Sequence, residues 1–136
     1  MNDYEQAKQS IIDVAMTRIA SKPVFNTSCV VYQGLALFSD KWSMLTLMSL
    51  MQGRKRYGEL QRNLPDISPK MLVQTLRALE SNKLITRTIH AEIPPRVEYE
   101  LTKFGMTLRF PLASLLEWSV EHEQAICVTK LDRETP

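Results

Sequence analysis

The chain has 136 residues, of which 44% are hydrophobic and 24% charged, values that fit one globular domain with a modest core. No run of about 18 apolar residues is present, and the polar N-terminus lacks the basic and apolar regions of a secretory signal. We therefore expect no membrane span and a cytoplasmic location. Two cysteines, Cys29 and Cys127, are too few for a disulfide scaffold. Neither they nor the isolated His90 and His122 have metal-ligand spacing, so no metal site and no cofactor are expected.

The net charge of +2 conceals an uneven distribution. Residues 54–103 carry ten Lys and Arg against six Asp and Glu, whereas residues 104–136 carry three against five. The middle of the chain is therefore the candidate for contact with a polyanion. On charge alone, a solvated basic surface is the simpler interpretation, because an excess of four positive charges is not extreme.

The N-terminal segment predicts an amphipathic helix from Asp3 to Ala20, because apolar residues recur there at helical spacing. Pro23 and the run Asn26-Thr27-Ser28 predict a loop after it. The domain organisation expected is a helical arm at residues 1–22, a main domain at residues 29–124 and a flexible, polar tail at residues 125–136.

The main domain is predicted to begin with helices at Val30–Phe38 and Lys41–Gln52, the second apolar over most of its circumference and therefore buried. A basic loop, Arg54-Lys55-Arg56, precedes a short helix at Tyr57–Asn63. Ser68 and Pro69 predict the start of a longer helix, because Ser is a favoured N-cap and Pro is tolerated at the first helical position. Its apolar stripe is formed by Met71, Leu72, Leu76 and Leu79, and its other face carries Lys70, Gln74 and Arg77.

Beyond this helix the apolar periodicity changes from helix to strand. Leu84–Ile89 and Val97–Leu101 alternate, and they flank the Pro-containing loop His90–Arg96, which predicts a β-hairpin. Thr102 is expected to cap one final helix that runs to about Val120 and bends at Pro111.

This order of elements predicts a mainly α-helical winged helix-turn-helix fold with a small β-hairpin wing. An α-helix fits the major groove of DNA, where outward polar side chains reach base edges. The predicted contacts of this helix with DNA are Ser68, Pro69, Lys70, Gln74 and Arg77. The predicted phosphate contacts, which give affinity but carry no sequence information, are Arg54, Lys55, Arg56, Tyr57 and Arg96.

Several segments resemble the HxlR-type regulators, a branch of the MarR-like winged-helix proteins. The resemblance extends from about Cys29 to Trp118, and the segments that carry it are Lys41-Trp42, Arg56–Leu60, Ile67–Leu72, Leu76–Glu80 and Pro94–Thr102. It implies a bacterial homodimer that binds an inverted repeat in double-stranded DNA and acts as a repressor or an activator. It further implies that the first and last helices form the dimer contact. Ile11, Ile12, Leu112 and Leu116 would line that seam, unless they belong to the core of one chain.

A redox or ligand switch is the alternative form of this function. Many members of the resembling family carry a cysteine at the position of Cys29, and in some it senses electrophiles or oxidants. Here Val30 replaces the usual following proline, and Ser39-Asp40 replaces two glycines. A sensor thiol needs exposure and activation, whereas a free cysteine is more commonly a small buried hydrophobe. Cys127 could supply a second thiol, and the dimer seam could admit a small-molecule effector.

An enzymatic function is not expected. Glu98 and Glu100 share one face of a strand, where solvent-facing positions are the simpler interpretation. No P-loop, dinucleotide-binding glycine run or H-E-x-x-H motif is present.

Overall fold

The computed structural model describes residues 1–134. Contacts divide the chain into two compact units, residues 1–36 and the residues from Leu37 onward. The elements of these described residues, in chain order, are α1 Asp3–Ser21, α2 Val30–Ala36, α3 Lys41–Leu50, β1 Lys55–Arg56, α4 Tyr57–Asn63, α5 Pro69–Ser81, β2 Ile85–His90, β3 Arg96–Leu101, α6 Lys103–Met106, α7 Arg109–Glu121 and α8 Glu123–Glu134.

The first unit consists of α1 and α2. Asn2 caps α1, because its side-chain oxygen accepts a hydrogen bond from the backbone N–H of Glu5 at 2.8 Å. Neither helix contains a buried residue. The helix predicted from Asp3 is therefore present, but α2 groups with α1 and not with the main domain. The boundary accordingly falls between Ala36 and Leu37, later than the one expected at residue 29.

The second unit is built around α3, which contacts both α5 and α7. Asp40 caps α3 by accepting from the backbone N–H of Ser43 at 2.9 Å and from its hydroxyl at 2.6 Å. Burial alone would raise the pKa of Asp40, but these hydrogen bonds outweigh it and lower that pKa. The core is rich in leucine and comprises Leu47, Leu50, Leu60, Leu64, Ile67, Leu72, Leu76, Leu79, Leu84, Ile85, Tyr99 and Leu112. The leucines of the predicted α5 stripe are buried, but Met71, which also belongs to that predicted stripe, is 40% exposed. The predicted burial of α3 is confirmed for Leu47 and Leu50 but not for Leu45, which is 41% exposed.

The sheet has three antiparallel strands in the order β1-β3-β2. The predicted hairpin is present, with Ile85 opposite Leu101 and His90 opposite Arg96. The prediction of a loop at Arg54–Arg56 was wrong for two of its residues, because Lys55 and Arg56 form β1 and pair with Tyr99 and Glu98. A two-residue strand has no periodicity of its own, and only the partner strand defines it.

The C-terminal region differs from the single bent helix predicted there. Thr102 is a cap as expected, but it starts the four-residue α6, where its hydroxyl accepts from the backbone N–H of Gly105 at 2.9 Å. A new helix, α7, begins at Arg109, which places Pro111 in the first helical turn. In a continuous helix the proline ring would clash with the carbonyl four residues earlier, and the restart avoids that clash.

Two further expectations about this region need correction. Leu112 is 3% exposed and belongs to the core of the second unit, so it is not available for a dimer seam, whereas Leu116 is exposed. Residues 125–134 were expected to be a loose tail, but they lie in α8, whose Lys130 and Glu134 pair at i,i+4 spacing at 3.8 Å. α8 buries no residue. Residues 135 and 136 of the predicted tail lie outside the described residues.

Candidate nucleic-acid interface

The start of α5 is fixed by a cap and by a contact with α4. The Ser68 hydroxyl accepts a hydrogen bond from the backbone N–H of Met71 at 3.1 Å, and Pro69 occupies the first helical position. The Tyr57 hydroxyl, at the start of α4, donates to the carbonyl of Pro69 at 3.5 Å. The two helices of the helix-turn-helix thus present their N-termini side by side. Ser68 and Tyr57, both predicted to contact DNA, also hold this geometry.

Lys70, Gln74 and Arg77 form an exposed stripe along α5. Their spacing spans about 10 Å of helix axis. On the opposite face Leu72, Leu76 and Leu79 are buried in the core. None of the three polar side chains forms a hydrogen bond or an ion pair with another of residues 1–134. The stripe therefore has its full bonding capacity available to an external partner.

Two of the predicted phosphate contacts, Arg54 and Arg96, are engaged with acidic side chains of the wing. Arg54 lies 3.3 Å from Glu98 and 3.4 Å from Glu100. Arg96 lies 3.0 Å from Glu98 and 3.2 Å from Glu92. The wing therefore offers less free positive charge than its sequence indicates.

Glu98 is the centre of this network, and sequence reasoning had treated it as a solvent-facing residue. Its side chain is only 12% exposed, and the Nε2 atom of His90 lies 3.5 Å from it as well. The strand alternation did place Glu98 and Glu100 on one face. The arginine that joins them, Arg54, is more than 40 positions away in the chain, and no local pattern signals that pairing.

The remaining predicted phosphate contacts lie at the start of α4. Lys55 is half-buried and Arg56 is exposed, and neither forms an ion pair with a residue of the described part of the chain. The backbone N–H of Arg56 donates to the Glu59 carboxylate at 3.2 Å, whereas its guanidinium pairs with no carboxylate of residues 1–134. These two cations, with Lys70 and Arg77 of the α5 stripe, are unpaired positive charges of this surface.

An ion pair joins the wing to α5. Arg87 of β2 lies 3.8 Å from Glu80 of α5, and Tyr99 of β3 packs into the core beside them. Burial raises the pKa of the Tyr99 hydroxyl, although the positive charge of Arg87 opposes that shift. The Tyr99 hydroxyl stays neutral, so the charged groups of this junction are Arg87 and Glu80.

Both cysteines are free thiols, with Cys29 half-buried directly before α2 and Cys127 exposed on α8. Within residues 1–134 no group of three His, Cys, Asp or Glu side chains could hold a metal ion. No helix in that range is long and apolar enough to cross a membrane.

A helix-turn-helix with an exposed polar recognition face and an adjoining β-hairpin defines a winged helix-turn-helix protein of the DNA-binding kind. Residues 37–126 match the model of the HxlR-like helix-turn-helix family, and the chain belongs to that family of transcription regulators. The match begins after Cys29.

Known proteins agree with this assignment. The chain is 41% identical over 88 residues to the HTH-type transcriptional regulator YtcD of Bacillus subtilis. The aligned residues cover 65% of this chain and 70% of YtcD. The structure of a MarR-family transcriptional regulator from Porphyromonas gingivalis superposes with a TM-score of 0.69 at 34% identity, covering 72% of this chain and 96% of that one. The redox regulator HypR in its reduced form superposes with a TM-score of 0.68 at 32% identity, covering 72% and 97%. The predicted likeness to HxlR-type and MarR-like regulators is confirmed.

Proposed function

We propose that this protein regulates transcription by binding an inverted DNA repeat as a homodimer, with α5 of each subunit in a major groove. The observation that carries the proposal is the stripe Lys70, Gln74 and Arg77, which is exposed and unpaired on α5. Gln recognises adenine and Arg or Lys recognises guanine through paired hydrogen bonds to base edges. As a regulator of this kind the protein would act in the cytoplasm, on double-stranded DNA.

The supporting residues have three different roles in this proposal. Arg56 and Lys55 neutralise phosphates beside the recognition helix, because their charges are uncompensated. Ser68, Pro69 and Tyr57 set the position of the N-terminus of α5. Arg54 and Arg96 reach phosphates only if DNA displaces them from Glu98.

A gel-shift assay with the DNA upstream of the gene tests the recognition helix. We expect the double variant Lys70→Ala/Arg77→Ala to lose specific binding while its circular dichroism spectrum stays unchanged. The matched control is Lys103→Ala/Arg109→Ala, which removes the same charge from the exposed first positions of α6 and α7, outside the helix-turn-helix and the wing loop. Unchanged binding by the first variant, or equal losses in both, would contradict the proposal.

Electrophile or oxidant sensing is a second candidate, supported by two observations. The chain is similar to HypR, whose structures are described as a redox regulator in reduced and oxidised forms. Both of its own thiols are free. In this candidate the switch would act through Cys29 or through a small-molecule effector in the dimer seam, and DNA binding would be its output.

The sensing candidate is tested by treating the protein with diamide before the gel shift. Loss of the response in Cys29→Ser, with the response kept in Cys127→Ser, is the expected result. A Cys29→Ser protein that still responds would exclude sensing through this thiol. We propose no enzymatic role, because the relatives are regulators and the acidic pair Glu98 and Glu100 is committed to ion pairs.

A further inference from the structure

The tip of the wing is apolar in a surface that is otherwise basic. The five residues between β2 and β3, Ala91 to Pro95, contain no cation. Their one charged side chain, Glu92, is paired with Arg96 at 3.2 Å. Ile93 is fully exposed, and Pro94 and Pro95 follow it. A single exposed apolar side chain is common on protein surfaces, and what distinguishes Ile93 is its position at the tip of a proline-stiffened loop beside the start of α4.

The wing tip lies on the same side of the second unit as the N-termini of the helix-turn-helix. The loop residues and the start of α4, Arg56 to Gly58, line a common groove. Tyr57 in that groove also contacts Pro69 at the start of α5. When α5 occupies the major groove, the wing tip therefore faces the same duplex beside it.

The length of the wing is of the same order as the spacing between neighbouring grooves of B-DNA. Strand β2 has six residues and spans roughly 17–20 Å. Half a helical turn of B-DNA, the step from a major groove to the next minor groove, is about 17 Å. Proteins that enter the minor groove often insert Ile, Leu or Pro between base pairs, which partly unstacks them and kinks the duplex.

We propose that Ile93, backed by Pro94 and Pro95, is an apolar wedge that enters the minor groove beside the recognition helix and opens one base step in each half-site. The inference rests on the proposed function. It assigns to the wing a specificity that depends on how easily a base step deforms, and not on phosphate charge. The two prolines restrict the backbone, so little conformational entropy is lost when the tip is buried.

The test uses the upstream duplex protected in footprinting, labelled at its ends for energy transfer and carrying 2-aminopurine at successive steps flanking each half-site. For the wild-type protein we expect a fluorescence rise at one step per half-site and a shorter end-to-end distance. Ile93→Ala should lose both signals and bind roughly tenfold more weakly, as removal of one well-buried branched side chain implies. The slope of affinity against salt should not change, because no phosphate contact is lost.

Two variants control the test. Ile89→Ala removes an equally large apolar side chain, 59% exposed, from the strand of the same hairpin, and it should behave as wild type. Ile93→Leu keeps an apolar wedge and should restore bending. Three results for Ile93→Ala would each contradict the wedge while leaving the proposed function intact. They are wild-type bending of the DNA, a smaller salt slope, and a change in oligomeric mass. A wild-type protein that does not prefer its upstream duplex to a scrambled one would overturn the proposed function and the wedge together.

Discussion

At the scale of single residues, Glu98 determines how much positive charge the wing presents. Its carboxylate lies within 3.5 Å of Arg54, Arg96 and His90 and is largely shielded from solvent. Arg54, by contrast, is more than half exposed. Ion pairs at exposed positions contribute little free energy, so a DNA phosphate can replace the carboxylate as the partner of Arg54. Glu98 therefore competes with DNA for the same arginines.

Replacing Glu98 by Gln is expected to release Arg54 and Arg96 from one of their two carboxylate partners each, leaving only the more exposed Glu100 and Glu92. The affinity for DNA at low salt should rise, and the slope of log affinity against log salt should steepen by about 1–2, one unit for each phosphate newly neutralised. The free energy of unfolding should fall by about 1 kcal/mol or less, because the pairs are partly exposed. Fluorescence anisotropy over a salt series measures the slope.

The matched control for this experiment is Glu123→Gln, which removes the same charge from an exposed position on α8. It should leave the slope unchanged. A slope that stays constant in Glu98→Gln would contradict the competition between Glu98 and DNA for these arginines.

At the scale of elements, the sequence predicts the helices and strands that are defined by residues close together in the chain. Ser68 and Pro69 marked the start of α5, and the apolar stripe with its polar opposite face gave its orientation correctly. β1 was missed because it exists only through pairing with β3, some 43 residues later. The ion pairs of Glu98 were missed for the same reason, since Arg54 is brought to Glu98 only by the folded sheet.

The short helix α6 supplies the clearest stability prediction. A Cβ atom on Gly105 would lie 2.1 Å from the backbone carbonyl oxygen of Leu84, and backbone cannot move aside cheaply. Gly105→Ala should therefore lower the free energy of unfolding by roughly 3 kcal/mol or more, a severe loss of the kind that overpacking produces. Urea denaturation followed by circular dichroism provides the measurement.

Gly58 is the natural comparison for Gly105, because it is also a helical glycine. A Cβ atom there would meet only the flexible side chain of Arg62, at 3.8 Å. Gly58→Ala should be neutral or should stabilise α4 by up to about 1 kcal/mol, the helix-propensity difference between the two residues. If the two alanine variants were equally stable, the close approach of α6 to Leu84 would be incorrect.

At the scale of the whole molecule, α7 carries more apolar surface than its own chain covers. Phe110, Leu115, Leu116, Trp118 and Val120 are all exposed on this helix, although Leu112 is buried. α1 likewise leaves Ile11 and Ile12 exposed. Exposed apolar surface of this extent is typical of an interface, which supports the proposed homodimer.

Introducing a charge on α7 tests the dimer. Leu116→Asp is expected to shift the mass measured by light scattering from twice 15.7 kDa towards 15.7 kDa, because a carboxylate would have to be desolvated in the seam. Ser114→Asp adds the same charge at an exposed polar position of the same helix and should leave the mass unchanged. A dimeric Leu116→Asp protein would place the interface elsewhere.

The claim that α5 reads bases in the major groove is tested most directly from the DNA side. Guanines protected in the footprint are replaced one at a time by 7-deazaguanine, which lacks the N7 acceptor, and binding is measured with wild-type protein and with Arg77→Ala. At the guanine read by Arg77, the wild-type protein should lose affinity equivalent to about 1–3 kcal/mol, and Arg77→Ala should lose nothing further. Equal losses for both proteins at every guanine would contradict this role of Arg77, and no loss at any position would contradict recognition through the major groove.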